Sequence, residues 1–358
     1  RCSLMTGCNA SRHRVTNWTL RKNTKTDAVS NTLEVPDWNY NGIAQVHGTN
    51  NTFIATSFVQ LLKDNGYHTI HCGKAHWGAI DTPYHFGFET NIAGHAAGGP
   101  ATYLSERNYG YDEAGNSTSL FSVPGLEKYW GTGTFMTEAL TQEALKALDK
   151  AKKYNQPFYL YMSHYAIHVP IDKDVRFYDK YKKKGLSDKE AAYASLIEGM
   201  DKSLGDIMDW LEKNGEADNT IVIFMSDNGG YATGSGWRDE PLYTQNFPLK
   251  CGKGSAYEGG IREPMIVRWP GTVQPGTRCN DYLIIEDFYP SILEMAGIDD
   301  YDVPQEIDGI SFVPLLKQTK NHSQGRSLYW NCPNIWGEKG PGIGPSCTIR
   351  KDNWKMSR

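Results

Sequence analysis

The sequence is short of several features that would narrow its reading at once. No apolar run among the 358 residues is long enough to cross a bilayer as a helix. Neither sign of charge dominates. Against 41 Asp and Glu stand 37 Lys and Arg, a net charge of -4, so nothing in the balance attracts nucleic acid or an anionic membrane surface. The seven cysteines, Cys2, Cys8, Cys72, Cys251, Cys279, Cys332 and Cys347, form no CxxC pair, which argues against a zinc knuckle. The odd count leaves at least one thiol outside any pairing within the chain. There is no internal repeat and no low-complexity tract. The sequence opens on Arg1 without Met or signal peptide, and we expect both ends to continue, so a leader gives no compartment.

What is present suits a globular α/β protein of one large domain or two ordinary ones, with 39% hydrophobic and 22% charged residues. Helical spacing predicts helices over Asn51–Asn65, Thr134–Asn155, Ser187–Asn214 (opened by a Ser187/Glu190 capping box) and Ile284–Gly297. Short apolar runs predict strands at Tyr67–Cys72, Phe158–Ser163, Thr220–Met225 and Pro264–Trp269. Alternation of the two predicts a largely parallel sheet with helices on both faces. Residues 79–133 are loop-rich, and a loop that long reads as a substrate-facing insertion or a disordered segment.

The chain is organised around Thr220 to Gly230, TIVIFMSDNGG. Its first half suits a strand buried on both faces. Its second half sets Asp227 beside Asn228 at the carboxyl end of that strand, where open α/β sheets place their ligands. Both offer hard oxygens, which suit Ca²⁺ or Mg²⁺ better than Zn²⁺. Taken alone, the stretch reads first as a strand followed by an Asx-type turn, and the other motifs reverse that order.

The other strands end in unusual residues too. Lys74 and His76 follow the Tyr67 strand, and His164 and His168 follow the Phe158 strand. Lys253 and Arg262 lie in the loop before Pro264. In a parallel sheet such ends share one edge. Cations, imidazoles and an oxygen-rich metal site together suit a tetrahedral oxyanion ester, whose charge they offset and whose leaving oxygen a His can protonate. Singly, each is also an ordinary loop residue. His68 and His71 read as strand residues facing polar neighbours.

With these motifs in order, the chain resembles the formylglycine-dependent sulfatases of the alkaline-phosphatase-like superfamily. Arg1-Cys2-Ser3-Leu4-Met5-Thr6-Gly7 resembles the second half of the sulfatase signature, and GKAHWG, HVP, MSDNGG and GKGSAYEGGIREP follow in the family's order. The resemblance implies a large α/β catalytic domain over residues 1–345 and the start of a small antiparallel C-terminal subdomain over 346–358, with its first strand near Cys347. The nucleophile, a Cys or Ser converted to formylglycine, is expected four positions before Arg1, and the family's paired acidic metal ligands are expected upstream as well.

Carried over by position, the resemblance implies that Asp227 and Asn228 supply part of a Ca²⁺ site. It implies that Arg1 polarises the nucleophile, Lys74 and Lys253 bind sulfate oxygens, and His76 contacts the formylglycine hydrate. His168 is the candidate acid for the leaving sugar oxygen. The implied cycle is attack by the hydrate on sulfur, departure of the alcohol, and expulsion of sulfate as the aldehyde re-forms.

The substrate class expected is a sulfated saccharide, in the manner of bacterial polysaccharide sulfatases, met in the periplasm or after secretion. A formylglycine-generating or sulfatase-maturing enzyme is the implied maturation partner. Candidates for specificity are His95, Tyr103, Arg107, His164, Trp237 and Arg238, since Arg and aromatic residues suit an anionic sugar ring. Two alternatives stay open: a phosphodiesterase or phosphonate hydrolase of the same superfamily, and a non-catalytic relative that binds sulfated glycans.

Overall fold

The computed structural model describes residues 1–16, 39–48, 51–78, 83–231, 246–318, 325–333 and 342–358. These fall into two compact units, one of residues 1–58 and 218–358, the other of residues 59–217. The chain begins in the first unit with α1 (Cys2–Thr6), α2 (Ala10–His13), β1 (Gly42–Ala44) and β2 (Thr52–Ile54). β1 and β2 are parallel, with Gly42 opposite Thr52. The helix expected from Asn51 therefore begins later, as α3 (Phe58–Asp64). Thr52, Phe53 and Ile54 are β-branched or aromatic and take the strand that β1 offers.

The second unit is built on β3 (His68–Gly73), every residue of which is buried. It is the middle strand of a parallel sheet, between β4 (Thr90–Ile92) and β5 (Phe158–Ser163). Between β4 and β5 runs α4 (Met136–Lys153), whose Leu140, Ala144, Leu148 and Ala151 form the expected buried stripe. The unit continues through α5 (Tyr178–Lys183) and α6 (Asp188–Lys213), and the predicted Ser187/Glu190 capping box is formed. α4 and α6 are tied by a buried Thr141–Ser203 hydroxyl pair at 2.6 Å and by Trp210 Nε1 donating to Asp149 at 2.8 Å.

Residues 83–133, expected to be loop-rich, join the core of this unit. They carry short turns of 3-10 helix, and their Tyr103, Tyr109, Val123 and Leu126 are fully buried in one cluster with Leu140 and Ala144. His71 is a strand residue of β3 with a polar neighbour, as expected, set in an aromatic surround. It is fully buried among Trp77, Phe88 and Tyr161, and its Nδ1 lies 3.0 Å from Asn91 Oδ1. His68 has the polar neighbours expected, Glu89 at 3.2 Å and Thr90 at 3.3 Å.

Back in the first unit, β6 (Val222–Met225), α7 (Glu258–Ile261) and β7 (Met265–Arg268) follow. β6 pairs antiparallel with β7, against the parallel pairing expected. A parallel return needs a substantial crossover, and the one helix among the described residues of the connection is the single turn of α7. β6 is half-buried, with Phe224 40% exposed, rather than enclosed on both faces. α8 (Phe288–Met295) then packs its Tyr289 ring edge-on to Phe58, 6.0 Å between centroids. Last come β8 (Ser327–Cys332), β9 (Ser346–Lys351) and β10 (Trp354–Ser357), an antiparallel sheet in the order β10-β9-β8. It contains the strand expected near Cys347, preceded by β8.

Candidate active site

In the second unit the parallel register decides where the chemistry goes. Gly73, the last residue of β3, lies opposite Ser163, the last of β5. Just beyond, Lys74 N–H donates to the Ser163 carbonyl at 2.6 Å, and the Ser163 hydroxyl donates to the Lys74 carbonyl at 2.7 Å. Lys74 with His76, and His164 with His168, therefore leave the sheet at one edge, as strand-end placement requires. A Cβ on Gly73 would fall inside the Ser163 carbonyl, and its φ of +97° is open only to glycine.

Each group at this edge is held by backbone. Lys74 is 7% exposed. His76 sits at φ +59°, a left-handed conformation that non-glycine residues avoid and that collects at functional sites. Its N–H donates to the His95 carbonyl at 3.3 Å. His168 has Nδ1 2.8 Å from the Val169 carbonyl. A carbonyl only accepts, so Nδ1 carries a proton.

His95 and His164 are ordinary histidines made unreceptive to protons. Burial pushes each down to about 4, so both are neutral near pH 7. Nε2 of His95 and Nδ1 of His164 are buried and make no hydrogen bond. Tyr103, expected to face substrate, is fully buried instead. Its Oη lies 2.7 Å from the Tyr165 carbonyl and 2.8 Å from the His168 carbonyl, bracing the segment that carries His168. Arg107 is exposed.

In the first unit the Arg1 guanidinium lies 3.3 Å from Asp227 Oδ2, with the two side chains 13% and 49% exposed. Asn228 Nδ2 donates to the Gly229 carbonyl at 3.0 Å, which leaves its amide oxygen as the available donor to a cation. Lys253 N–H donates to the Gly230 carbonyl at 3.0 Å, and Gly229 N–H to the Gly260 carbonyl at 3.2 Å. The glycines of MSDNGG and EGGI are thus backbone in contact, since a Cβ on Gly229 would fall inside the Gly259 carbonyl.

Glu263 was not singled out in the sequence. Its carboxyl is pushed up to about 7, by burial first and then by Asp227, against the pull of a Ser226 hydrogen bond, and its Oε1 has no partner. An acid in the IREP segment, next to a strand that pairs with the Asp227 strand, was the signal available. Trp237 and Arg238 lie outside the described residues.

The parallel strand ends and the small antiparallel sheet are those of the alkaline-phosphatase-like α/β fold. Within that class, the chain belongs to the sulfatase family, whose profile it matches over residues 3–298. Residues 252–357 also match the profile described as N-sulphoglucosamine sulphohydrolase, C-terminal. The chain is 33% identical over 294 residues to the uncharacterized sulfatase YdeN of Escherichia coli K12, covering 77% of this chain and 49% of that protein. The crystal structure of Ps i-CgsB covers the whole chain and 72% of its own, at 26% identity and TM-score 0.75. The complex of Ps i-CgsB with k-i-k-neocarrahexaose aligns at 25% identity and TM-score 0.73, again over 100% of this chain and 72% of that one. The chain spans about half the length of the curated relatives it matches.

Proposed function

We propose that the protein hydrolyses sulfate esters, with an O-sulfated sugar of a glycan as its substrate class. The observation that carries this reading is the Gly73–Ser163 register, which sets Lys74, His76, His164 and His168 on one sheet edge in a chain of the sulfatase family. Lys74 and Lys253 serve as compact cations for the non-bridging sulfate oxygens, worth most where water is excluded. His168, with Nδ1–H spent on the Val169 carbonyl, delivers a proton from Nε2 to the leaving sugar oxygen. His95 and His164, neutral and each with an unspent ring nitrogen, suit sugar hydroxyls. The oligosaccharide bound to Ps i-CgsB supports a saccharide on the leaving side.

The donors at Asp227 and Asn228 are all oxygen, and fit a hard cation such as Ca²⁺. Among the described residues no group of three or more His, Cys, Asp or Glu side chains could hold a metal, so these two would supply only part of the six to eight oxygens that Ca²⁺ takes. The Arg1 guanidinium, 3.3 Å from Asp227 Oδ2, helps hold that carboxylate in place. When bound, the ion would offset charge on a sulfate oxygen. The family's formylglycine would supply the nucleophilic oxygen, and its maturation enzyme is the implied partner. Among the described residues no helix is long and apolar enough to cross a membrane. We place the protein in the periplasm or outside the cell, where sulfated polymers are met.

The test uses full-length protein from a host with formylglycine-generating activity, with the modification checked by peptide mass. Sulfate release is measured from sulfated mono- and oligosaccharides, with Ca²⁺ and with chelator, beside a phosphomonoester. Ca²⁺-dependent release from a sugar ester is expected. A preference for phosphate, or no release from modified protein, would overturn the reading.

A further inference from the structure

We propose that Gly98 and Gly99 are positioning residues, a backbone platform that seats the imidazole of His76 on one glycine and that of His168 on the next. Neither glycine has a φ in the left-handed region, so backbone conformation does not demand glycine at either place. What excludes a side chain is the occupant. A Cβ on Gly98 would lie 2.8 Å from Cε1 of His76, 3.0 Å from Nε2 and 3.1 Å from Nδ1. A Cβ on Gly99 would lie 2.6 Å from Nδ1 of His168, 2.8 Å from Cε1 and 3.3 Å from Cγ. Carbon atoms do not approach so closely, since van der Waals contact lies at roughly 3.5–4.0 Å.

Each ring therefore rests directly on main chain, and the two supporting Cα atoms are about 3.8 Å apart across one peptide bond. Side chains that arrive from the ends of two different strands are each seated on one of two adjacent glycines. Backbone yields less readily than side chains would, so the platform sets ring positions that rotamer packing alone would leave loose. Its functional part rests on the sulfate-ester reading above. A ring moved by about 1 Å loses its aim at the reacting atoms, which costs on the order of 10²-fold in rate.

The opposite expectation is well defined. Alanine at a glycine whose φ and ψ it can adopt without a clash stabilises a protein, because it restricts the unfolded chain. Gly98→Ala and Gly99→Ala should instead lower the melting temperature. The loss should vanish in Gly98→Ala/His76→Ala and Gly99→Ala/His168→Ala, where the clashing ring is gone. In full-length protein with labelled histidines, Gly98→Ala should shift the Cε1–Hε1 signal of His76, and Gly99→Ala that of His168. Gly99→Ala should cut kcat on a sugar sulfate by about 10- to 100-fold, with a smaller loss on an aryl sulfate whose leaving group needs no proton.

Unchanged histidine signals, or melting temperatures raised by the single substitutions, would overturn the platform. Should the single variants fail to fold, the paired variants decide: folding restored by removal of the ring supports the platform, and folding not restored sinks it. Signals that shift as expected in a protein that releases no sulfate would leave the platform standing and reject the reaction.

Discussion

Lys74 and Ser163 hold each other through two hydrogen bonds. The Ser163 carbonyl accepts from the Lys74 backbone at 2.6 Å, and the Ser163 hydroxyl donates back to the Lys74 carbonyl at 2.7 Å. The pair lies at the end of a parallel register six residues long, with Ser163 its last residue and Lys74 one step beyond. It fixes the first residue of the loop that carries His76 to the last residue of the strand that leads to His164 and His168.

Replacing Ser163 with Ala leaves the Lys74 carbonyl without its buried donor. The cost should be roughly 1–3 kcal/mol of stability, read as a lowered urea midpoint. Sulfate release should fall further than stability explains, because Lys74 and His76 lose part of their fixed start. Kinetics measured well below the unfolding transition would separate the two effects, and an unaltered kcat would refute the positional role.

His168→Ala should cost about 10²–10⁴-fold on a sugar sulfate, the usual worth of a positioned proton donor. On an aryl sulfate with an acidic phenol the loss should be much smaller, since the leaving oxygen needs no proton. Equal losses on the two substrates would show that His168 does not act on the leaving group.

His95 and His164 make acid stability informative. Folded, they titrate at about 4; unfolded, near 6.5. Between those values the unfolded chain holds more protons on these two rings, so their contribution to stability should fall as pH drops from about 6.5 toward 4 and be level above that window. His164→Asn should flatten the fall. Urea midpoints of the two proteins at pH 7.5 and pH 4.5 would show it, and identical pH dependence would contradict the burial argument.

Asp287 is fully buried and accepts two hydrogen bonds from Arg326, at 2.6 and 2.8 Å, with backbone donors from Ile284 and Ile310. Arg326→Met should destabilise by about 3–5 kcal/mol, since it leaves a buried carboxylate without its cation. Chemical denaturation checks it. A change below about 1 kcal/mol would mean that the backbone donors suffice.

Much of the site was legible because its marks are local. A β-branched run that ends in Asp227-Asn228, and a strand that ends before Lys74 and His76, carry their meaning within ten residues. α4, α6 and β5 were readable for the same reason: each buries one periodic face, and a period is visible in a single segment. Trp237 and Arg238 fall outside the described residues, and the roles of His95, Arg107 and His164 toward substrate stay with the proposal above.

By itself, the sequence determined the family, the helices with clear stripes, and the placement of cations and imidazoles at strand ends. Tertiary structure alone decided that Gly73 faces Ser163, that β6 runs antiparallel to β7, and that Tyr103 turns inward to brace His168. It also decided that Gly98 and Gly99 are narrow because rings lie on them. The reason is physical. A segment's pattern reports what it can bury, whereas register and close approach depend on which distant segment fills the space beside it.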